Sequence, residues 1–241
     1  MILPDSGPND IKFLALAFHE IVGRLPTAMR TKAKNGVICV EGRIVDDDYT
    51  GPMLEQVLES GKVMKGYASG GGFEGQPLIV VPLRMNGEIV AAVEAVDISK
   101  GKAFGMMHKF RGFGKELSVE RCLIEEGGAG EEVRIGREEL RDLAIAFHEL
   151  VGRIPLSIRS PYENGLLLED GKVVDDDYTG PLLEQVIEEQ GTLRAIAPSG
   201  RYQGQPLIVV PVMKDCRLIA VVGTVDVTKG GSFALMHKFR R

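Results

Sequence analysis

The chain contains the same sequence twice. Residues 9–111 and 138–240 align without a gap at a constant offset of 129, and roughly half of the aligned positions are identical. The longest shared blocks are DDDYTGP, at 46–52 and 175–181, and GQPLIVVP, at 75–82 and 204–211. A unit of about 100 residues has the size of a domain and is too long for a solenoid repeat. The sequence therefore predicts two tandem copies of one folding unit, related by pseudo-twofold symmetry.

The two copies divide the chain into three segments. We assign residues 1–112 to the first copy, 113–136 to a linker rich in glycine and charge, and 137–241 to the second copy. Each copy is long enough to bury one hydrophobic core. We therefore expect each half to close its own interior.

Composition restricts the partners of this chain. The formal net charge is −5, and no extended stripe of lysine and arginine is present, which argues against a nucleic-acid partner. No apolar run approaches the roughly 18 to 20 residues that a membrane helix needs. The first ten residues lack the basic and apolar regions of a signal peptide. We expect a cytoplasmic protein that binds neither nucleic acid nor a membrane.

The three cysteines do not recur between the copies. Cys39 aligns with Leu168 and Cys216 with Gly87, whereas Cys122 lies in the linker. This pattern argues against a disulfide framework, a thiolate metal site and a shared cysteine nucleophile.

Apolar spacing and turn residues predict the same elements in each copy. In the first copy these are a helix, two strands around an acidic-Gly turn, a second helix, a weak strand, two strong strands joined by Met85-Asn86-Gly87, and a short last helix. The corresponding ranges are 10–25, 35–45, 50–60, 62–68, 76–83, 88–96 and 102–111. Hairpin connections favour an antiparallel sheet, so we predict the α+β class.

The stretch 53–97, which ends in GQPLIVVPLRMNGEIVAAVEAVD, resembles the second half of a GAF domain, a fold close to that of PAS domains. The resemblance implies two tandem GAF/PAS-like domains, each with a curved, mainly antiparallel sheet, a small-molecule site on one sheet face and flanking helices that often mediate dimers. The sequence lacks the cysteine for bilin attachment and the cyclic-nucleotide signature of that family. Neither ligand is therefore implied, and the cofactor is unknown.

The blocks DDDYTGPxLEQV, GQPLIVVP and VDxTKG also resemble a family of small archaeal proteins of the methanogen type. This second resemblance is more specific than the first. It implies no activity.

All four histidines occur as matched pairs, His19 with His148 and His108 with His237. In the GAF-like fold the first and last helices pack side by side, so the imidazoles of one copy can approach each other. One hypothesis is a transition-metal site with nearby carboxylates such as Glu20. The alternative, which the absence of a ligand triplet with metal spacing favours, is a structural hydrogen-bonding role.

The aspartate runs are the sharpest polar signal. Asp46, Asp47 and Asp48 recur as Asp175, Asp176 and Asp177. Three adjacent carboxylates repel one another, and a divalent cation or a cationic ligand would relieve that repulsion. Because a helix is predicted to follow, the alternative is that they complement its N-terminal dipole, with Asp48 or Thr50 as the cap.

Two further matched pairs are candidate ligand contacts. Gln76 and Gln205 stand at a strand entrance facing a variable, Gly-rich loop, where the amide can bind a ligand or tie down the loop. Tyr49 and Tyr178 are amphipathic rings beside the aspartates.

These observations favour a non-catalytic sensory or regulatory module that binds an unidentified small molecule. One alternative is a structural or regulatory subunit without a ligand, acting with a protein partner or as a homo-oligomer. Another is a metal-dependent enzyme that uses the aspartates. No Ser/His/Asp or Cys/His arrangement stands out, so the sequence argues against an enzyme more than for one.

Overall fold

A computed structural model describes residues 2–70, 74–100 and 134–229. The first half contains α1 (Pro8–Ile21), β1 (Thr27–Thr31), β2 (Gly36–Val40), β3 (Arg43–Tyr49), α2 (Pro52–Ser60), β4 (Met64–Tyr67), β5 (Pro77–Met85) and β6 (Glu88–Val96). The second half contains α3 (Arg137–Leu150), β7 (Leu156–Arg159), β8 (Gly165–Glu169), β9 (Lys172–Tyr178), α4 (Pro181–Glu189), β10 (Leu193–Ile196), β11 (Pro206–Lys214) and β12 (Arg217–Val225).

Each half builds one six-stranded antiparallel sheet. The strand order in the first sheet is β3-β2-β1-β6-β5-β4, and the second sheet has the equivalent order β9-β8-β7-β12-β11-β10. Each sheet consists of two groups of three strands. In the first sheet these groups, β1–β3 and β4–β6, meet where β1 pairs with β6. In the second sheet they meet where β7 pairs with β12. The predicted α+β class, the antiparallel sheets with flanking helices and the pseudo-twofold relation are confirmed.

The central strand of each sheet was absent from the sequence prediction. β1 and its twin β7 pair on both sides, yet each has only four or five residues. Side chains of β1 are buried on both faces, so the sequence shows no alternation of apolar and polar positions there. The predicted last helix at 102–111 lies outside the described residues.

Helices α1 and α3 lie between the two sheets. α1 contacts β1 and β2 of its own half and β11 of the other, while α3 contacts β7 and β8 of its own half and β5 of the other. The buried apolar residues of both helices and of both inner sheet faces form a single cluster. The expectation that each half closes its own interior is therefore wrong, because α1 and α3 each pack against strands of both sheets.

Phe18 and Phe147 mark the centre of this shared core. The rings occupy equivalent positions in the two copies and stack with a centroid separation of 3.9 Å and an interplanar angle of 23°. Both side chains are fully buried. Aromatic pairs in this geometry contribute about 0.5–1.5 kcal/mol beyond the area that they bury.

A second layer of helices covers the outer face of each sheet. α2 packs on the first sheet through Leu54, Val57 and Leu58. α4 packs on the second sheet through Leu183 and Val186. The strong strands β5 and β11 are therefore covered on both faces, which explains their nearly continuous apolar sequence.

The hairpin between β5 and β6 follows the sequence prediction. Asn86 and Gly87 both have positive φ angles, 53° and 81°, as a two-residue type I′ turn requires. At the equivalent turn Asp215 and Cys216 take the same left-handed conformation. Cys216 is disulfide-bonded, whereas Cys39 is free and buried. One cross-link at this surface turn is not the disulfide framework against which the cysteine pattern argued. Failure to recur in the other copy does not prevent a single cross-link.

Candidate functional site

The histidines of the described residues tie helix ends to hairpin turns. Nδ1 of His19 lies 2.8 Å from the Leu25 carbonyl oxygen, and its Nε2 accepts a hydrogen bond of 2.8 Å from the backbone N–H of Gly42. Nε2 of His148 accepts a hydrogen bond of 2.9 Å from the N–H of Gly171. An Nε2 that accepts from a backbone N–H has no lone pair left for a metal ion.

Burial keeps both imidazoles neutral. Desolvation lowers the pKa of His19 to about 4, an effect opposed by its bond to the Leu25 carbonyl and reinforced by the charge of Arg24. Desolvation also lowers the pKa of His148 to about 4. His108 and His237 lie outside the described residues. Among the described residues, no group of three or more His, Cys, Asp or Glu side chains has the arrangement of a metal site.

The aspartate runs lie in strands and not at a helix N-terminus. Asp46, Asp47 and Asp48 are exposed on β3, which is an edge strand of the first sheet. Oδ1 of Asp46 accepts a hydrogen bond of 2.9 Å from the N–H of Asp48, and Asn35 donates a hydrogen bond of 2.9 Å to Asp48. The second copy repeats both bonds. The capping interpretation is wrong, because the residue before the helix is Gly51.

An acidic edge strand discourages pairing with another chain. The unpaired backbone groups of an edge strand are a template for a further strand, and charged side chains oppose its approach. Val45, on the same strand, is 52% exposed and would otherwise favour such pairing. Ligand or metal binding by Asp46–Asp48 and by Asp175–Asp177 stays a prediction.

We expect the triple variant D46T/D47T/D48T to self-associate more strongly than the parent protein, because β3 keeps its pairing edge and loses its charges. Light scattering over a concentration series measures this. A control that replaces the exposed Glu59, Glu138 and Glu188 with Thr removes the same charge from helices and should leave association unchanged. Equal association of both variants would mean that net charge, and not the strand edge, matters.

An open groove of about 650 Å³ runs between α3 and the β8–β9 hairpin. Asp175 and Asp176 line it together with Arg137 and Arg141. Arg137 donates to the backbone carbonyl oxygens of Asn164, at 3.3 Å, and of Asp176. The groove thus brings one aspartate run beside two basic side chains of the helix.

A smaller cavity lies on the outer face of the second sheet, where the GAF-like resemblance implies a ligand site. Its volume is about 40 Å³. We call this site the outer cleft of the second half. It is bounded by the N-terminus of α4, the loop 197–202 and the sheet face, with lining residues Ser157, Tyr178, Gly180, Pro181, Leu182, Leu183, Ala197, Pro198, Ser199, Tyr202, Leu207, Val209 and Gly223.

Tyr178 connects the aspartates to the outer cleft. Burial raises its pKa, and the nearby negative charge of Asp175 adds to that rise. The phenol closes over Gly180, where a Cβ atom would stand 3.5 Å from the Tyr178 oxygen. Tyr49 and Gly51 repeat this contact in the first half at 3.4 Å. A ligand contact by Tyr49 or Tyr178 stays a prediction.

Gln76 and Gln205 fasten the loop through their backbones. The carbonyl of Gln205 accepts a hydrogen bond of 2.8 Å from the N–H of Ala197, and the carbonyl of Gln76 accepts one of 2.9 Å from Ala68. The backbone of each glutamine therefore holds the loop in place, as one of the two interpretations expected of the residue. Recognition of a ligand by either side-chain amide stays a prediction.

A latch in the second half was missed by the sequence analysis. The Tyr202 hydroxyl donates to Glu169, and Arg201 lies 2.7 Å from the same carboxylate. Burial and the charge of Glu169 raise the pKa of Tyr202. The aligned residues of the first copy are Val40, Gly72 and Phe73, so all three polar groups changed together. A search for paired differences between the copies would have found this signal.

A second missed cluster repeats in both halves. Arg159 donates hydrogen bonds to Thr179, at 3.0 Å, and to Glu184, fixing the first turn of α4 to β7. Arg30, Thr50 and Glu55 form the same cluster with α2. All three residue types are identical between the copies, so comparison of polar identities outside the long blocks would have revealed them.

The two halves differ at one position of the outer sheet face that bears on the cavity. Gly223 lines the cavity of the second half, whereas the aligned residue of the first half is Glu94. A Cβ atom at Gly223 would stand 3.0 Å from Ser157 Oγ and 3.3 Å from Leu183 and Val209. A side chain at this position would crowd these three neighbours, which also line the cavity.

No helix in the described part of the chain has the length and apolar character needed to cross a membrane.

The sequence of each copy matches the profile of a known protein family. The profile of a family described as "Uncharacterized protein conserved in archaea (DUF2111)" matches residues 18–99 and again residues 147–228. The uncharacterized protein MJ0405 of Methanocaldococcus jannaschii is 39% identical over 93 residues, which are 39% of this chain and 71% of that protein. The relative thus has about the length of one copy.

A likeness to a solved structure is slight. An RNA-binding light-oxygen-voltage receptor aligns with 89% of this chain and 98% of its own, at 8% identity and a TM-score of 0.20. This likeness carries no argument about the fold or the function.

Proposed function

We propose that this chain, which belongs to the family of uncharacterized proteins conserved in archaea (DUF2111), is a non-catalytic small-molecule-binding protein whose second half carries the binding cleft. The outer cleft of the second half is the observation that carries this proposal. It combines apolar walls, two tyrosines and two serines around an internal space, the composition typical of ligand pockets.

The loop 197–202 acts as a lid in this proposal. A volume of about 40 Å³ accommodates no more than a few atoms. A larger ligand enters when the loop moves outward, which requires the Tyr202–Glu169 bond and the Arg201–Glu169 ion pair to separate. Arg201 is mostly exposed, so its contribution is small. The latch therefore sets how readily the cleft opens.

The absence of a strong charge inside the cleft indicates a neutral ligand. The lining residues are uncharged, and Tyr178 and Tyr202 keep their protons because burial raises both pKa values. Their hydroxyl groups and those of Ser157 and Ser199 supply hydrogen bonds to a polar group at one end. A small molecule with an apolar body and one polar group fits this arrangement.

Chemical-shift mapping with a panel of small neutral probes, namely phenol, benzamide and 2-pyrrolidinone, tests this proposal. We expect at least one probe to shift the amide signals of Gly180, Leu182, Ser199 and Tyr202 selectively. Gly223→Ala should weaken this binding by about tenfold or more, because its methyl group occupies the cleft.

The matched control is Glu94→Gln, which changes the aligned position of the first half. It should leave the shifts at Gly180 and Tyr202 unaltered. Probes that fail to shift these signals, or that bind G223A as tightly as the parent, would contradict the proposal.

A second candidate is a structural or regulatory subunit without a ligand. The large apolar contact between the halves supports it, since a fused pair of repeats can replace a homodimer of a single-repeat protein. In that case every probe should leave the cleft unaffected. A protein partner would then be sought by its effect on the same amide signals.

A further inference from the structure

Glu94 lies in an apolar setting on the outer face of the first sheet. In β6 it stands opposite Ala28 of β1 and Val80 of β5, two members of the buried outer cluster. Burial raises the pKa of the Glu94 carboxyl to about 7. A carboxylate in this position carries a desolvation cost that a neighbouring cation would offset.

No described side chain serves as a partner for Glu94. The described hydrogen bonds and ion pairs do not include its carboxyl, and burial is the only cause of its raised pKa. Arg30, on the neighbouring strand, binds Thr50 and Glu55. Arg84, at the far end of β5, donates to the carbonyl oxygens of Gly61 and Gly87. The nearby basic groups are thus committed elsewhere.

The surroundings of Glu94 suit an organic cation. The half-buried Tyr49 ring packs against the same outer cluster, and the aligned pair Tyr178 and Gly223 lines one cavity in the second half. Burial raises the pKa of the Tyr49 phenol, and the charge of Glu94 adds to that rise. Met53 and Met64 pack against the same cluster as partly buried side chains. An aromatic ring next to a carboxylate, with thioethers at the rim, is an arrangement that attracts alkylammonium ions.

The fold itself does not require this carboxyl. The second half has the same strand order and the same register, with Gly223 aligned with Glu94 and Ser157 with Ala28. A partly buried acid with no partner in the described part of the chain, absent from the aligned position of the second half, is therefore a feature of the first half alone. Such a group reduces stability, and a role in binding accounts for its presence.

We propose that the outer face of the first half binds a small alkylammonium ion, with Glu94 as counter-ion and Tyr49 as aromatic wall. The site is separate from the outer cleft of the second half and does not depend on that cleft holding a ligand. The cation binds the ionised carboxylate, and the apolar tail lies against Met53 and Met64.

Isothermal titration of the full chain with n-butylammonium chloride at pH 8 tests the proposal, with n-butanol as the uncharged probe of similar size. We expect butylammonium to bind at least about tenfold more tightly than butanol, the scale of one charge-assisted hydrogen bond. Glu94→Gln should abolish that preference. Asp46→Asn, which removes the other nearby carboxylate, should retain most of it.

The pH dependence provides an independent readout. Because the ligand binds the ionised form, its affinity should fall by about tenfold between pH 8 and pH 6 as Glu94 takes up a proton. Carbon-13 NMR of the glutamate carboxyls in the parent protein should show the Glu94 pKa falling when butylammonium is added. This measurement needs no variant and so does not depend on how E94Q folds.

Three outcomes would overturn the proposal. They are no binding of butylammonium by the parent protein, equal binding by E94Q, and a loss of binding in D46N that E94Q does not share. An affinity independent of pH between 6 and 8 would also assign the counter-ion to another carboxylate. The neutral probes of the second-half cleft, and the variant G223A, should not affect butylammonium binding.

Discussion

Lowering the pH from 6.5 to 4 is expected to cost the folded protein about 5 kcal/mol through His19 and His148 together. Burial lowers the pKa of each imidazole to about 4, whereas in the unfolded chain both take up protons near 6.5. The stabilising effect of the neutral histidines is therefore complete above pH 6.5 and is lost as the pH falls towards 4. A loss of this size approaches the whole stability of an ordinary domain.

Glu94 acts in the opposite direction. Its pKa in the folded state is about 7, against 4.5 in the unfolded chain, so its contribution to stability is present at low pH and is lost as the pH rises through 7. The difference corresponds to about 3 kcal/mol. Glu20, whose pKa burial also raises, has the same sign. The acid sensitivity of the histidines should therefore emerge more clearly in E94Q than in the parent.

Urea unfolding at intervals between pH 7 and pH 4 measures these terms. In an E94Q background, the double variant H19Q/H148Q should be less stable at pH 7, because it loses the ring hydrogen bonds. Below pH 6.5, the slope of its unfolding free energy against pH should also decrease by an amount that corresponds to nearly two bound protons. H108Q/H237Q is the matched control, because it also replaces two histidines with glutamine, here at positions outside the described residues. An unchanged slope in H19Q/H148Q would show that the buried imidazoles do not govern acid unfolding.

Replacing Phe18 with Ala is expected to reduce the free energy of unfolding by about 3–5 kcal/mol, and Phe147→Ala by a similar amount. Both rings are fully buried and stack on each other at the contact between the halves. Because the two rings contact each other, removing both leaves one common space, and the two losses of stability should not add. The double variant should differ from the sum by about 1 kcal/mol or more.

The control for this cycle is Leu54→Ala in the outer layer. Leu54 is fully buried between α2 and the first sheet, so its replacement should cost about 2–5 kcal/mol. It shares no cluster with Phe147, and the two losses should add. Additive losses for Phe18 and Phe147 as well would mean that the halves unfold independently. Milder variants, F18L and F147L, keep the cycle measurable where the Ala pair does not fold.

The sequence predicted secondary structure correctly where residues close together in the chain determine the conformation. The hairpin at Asn86-Gly87 formed as predicted because its two positive φ angles are a local requirement. The helix at 50–60 and the strong strands also formed, since their apolar spacing is regular. The first helix ended at Ile21, several residues before Pro26, because Gly23 and Arg24 adopt left-handed angles.

Contacts between distant residues explain the failures. One interpretation placed the aspartate run at a helix start, but the pairing of β3 with β2 extends the strand as far as Tyr49. From Ala17 to Ile21 every residue of α1 is buried, which no pattern with one apolar face predicts. The latch at Glu169 also joins residues more than 30 positions apart.

By itself, the sequence determined the duplication, the family, most helices and strands and the antiparallel class, because repetition and short-range periodicity are visible among neighbouring residues. Only the tertiary structure decided that two sheets enclose a shared pair of helices and that the edge strands carry the aspartates. It alone showed that, at aligned positions, one half has a carboxyl with no partner among the described residues and the other half has a cavity. These features follow from how buried surfaces pack across the two halves, and that packing depends on residues far apart in the chain.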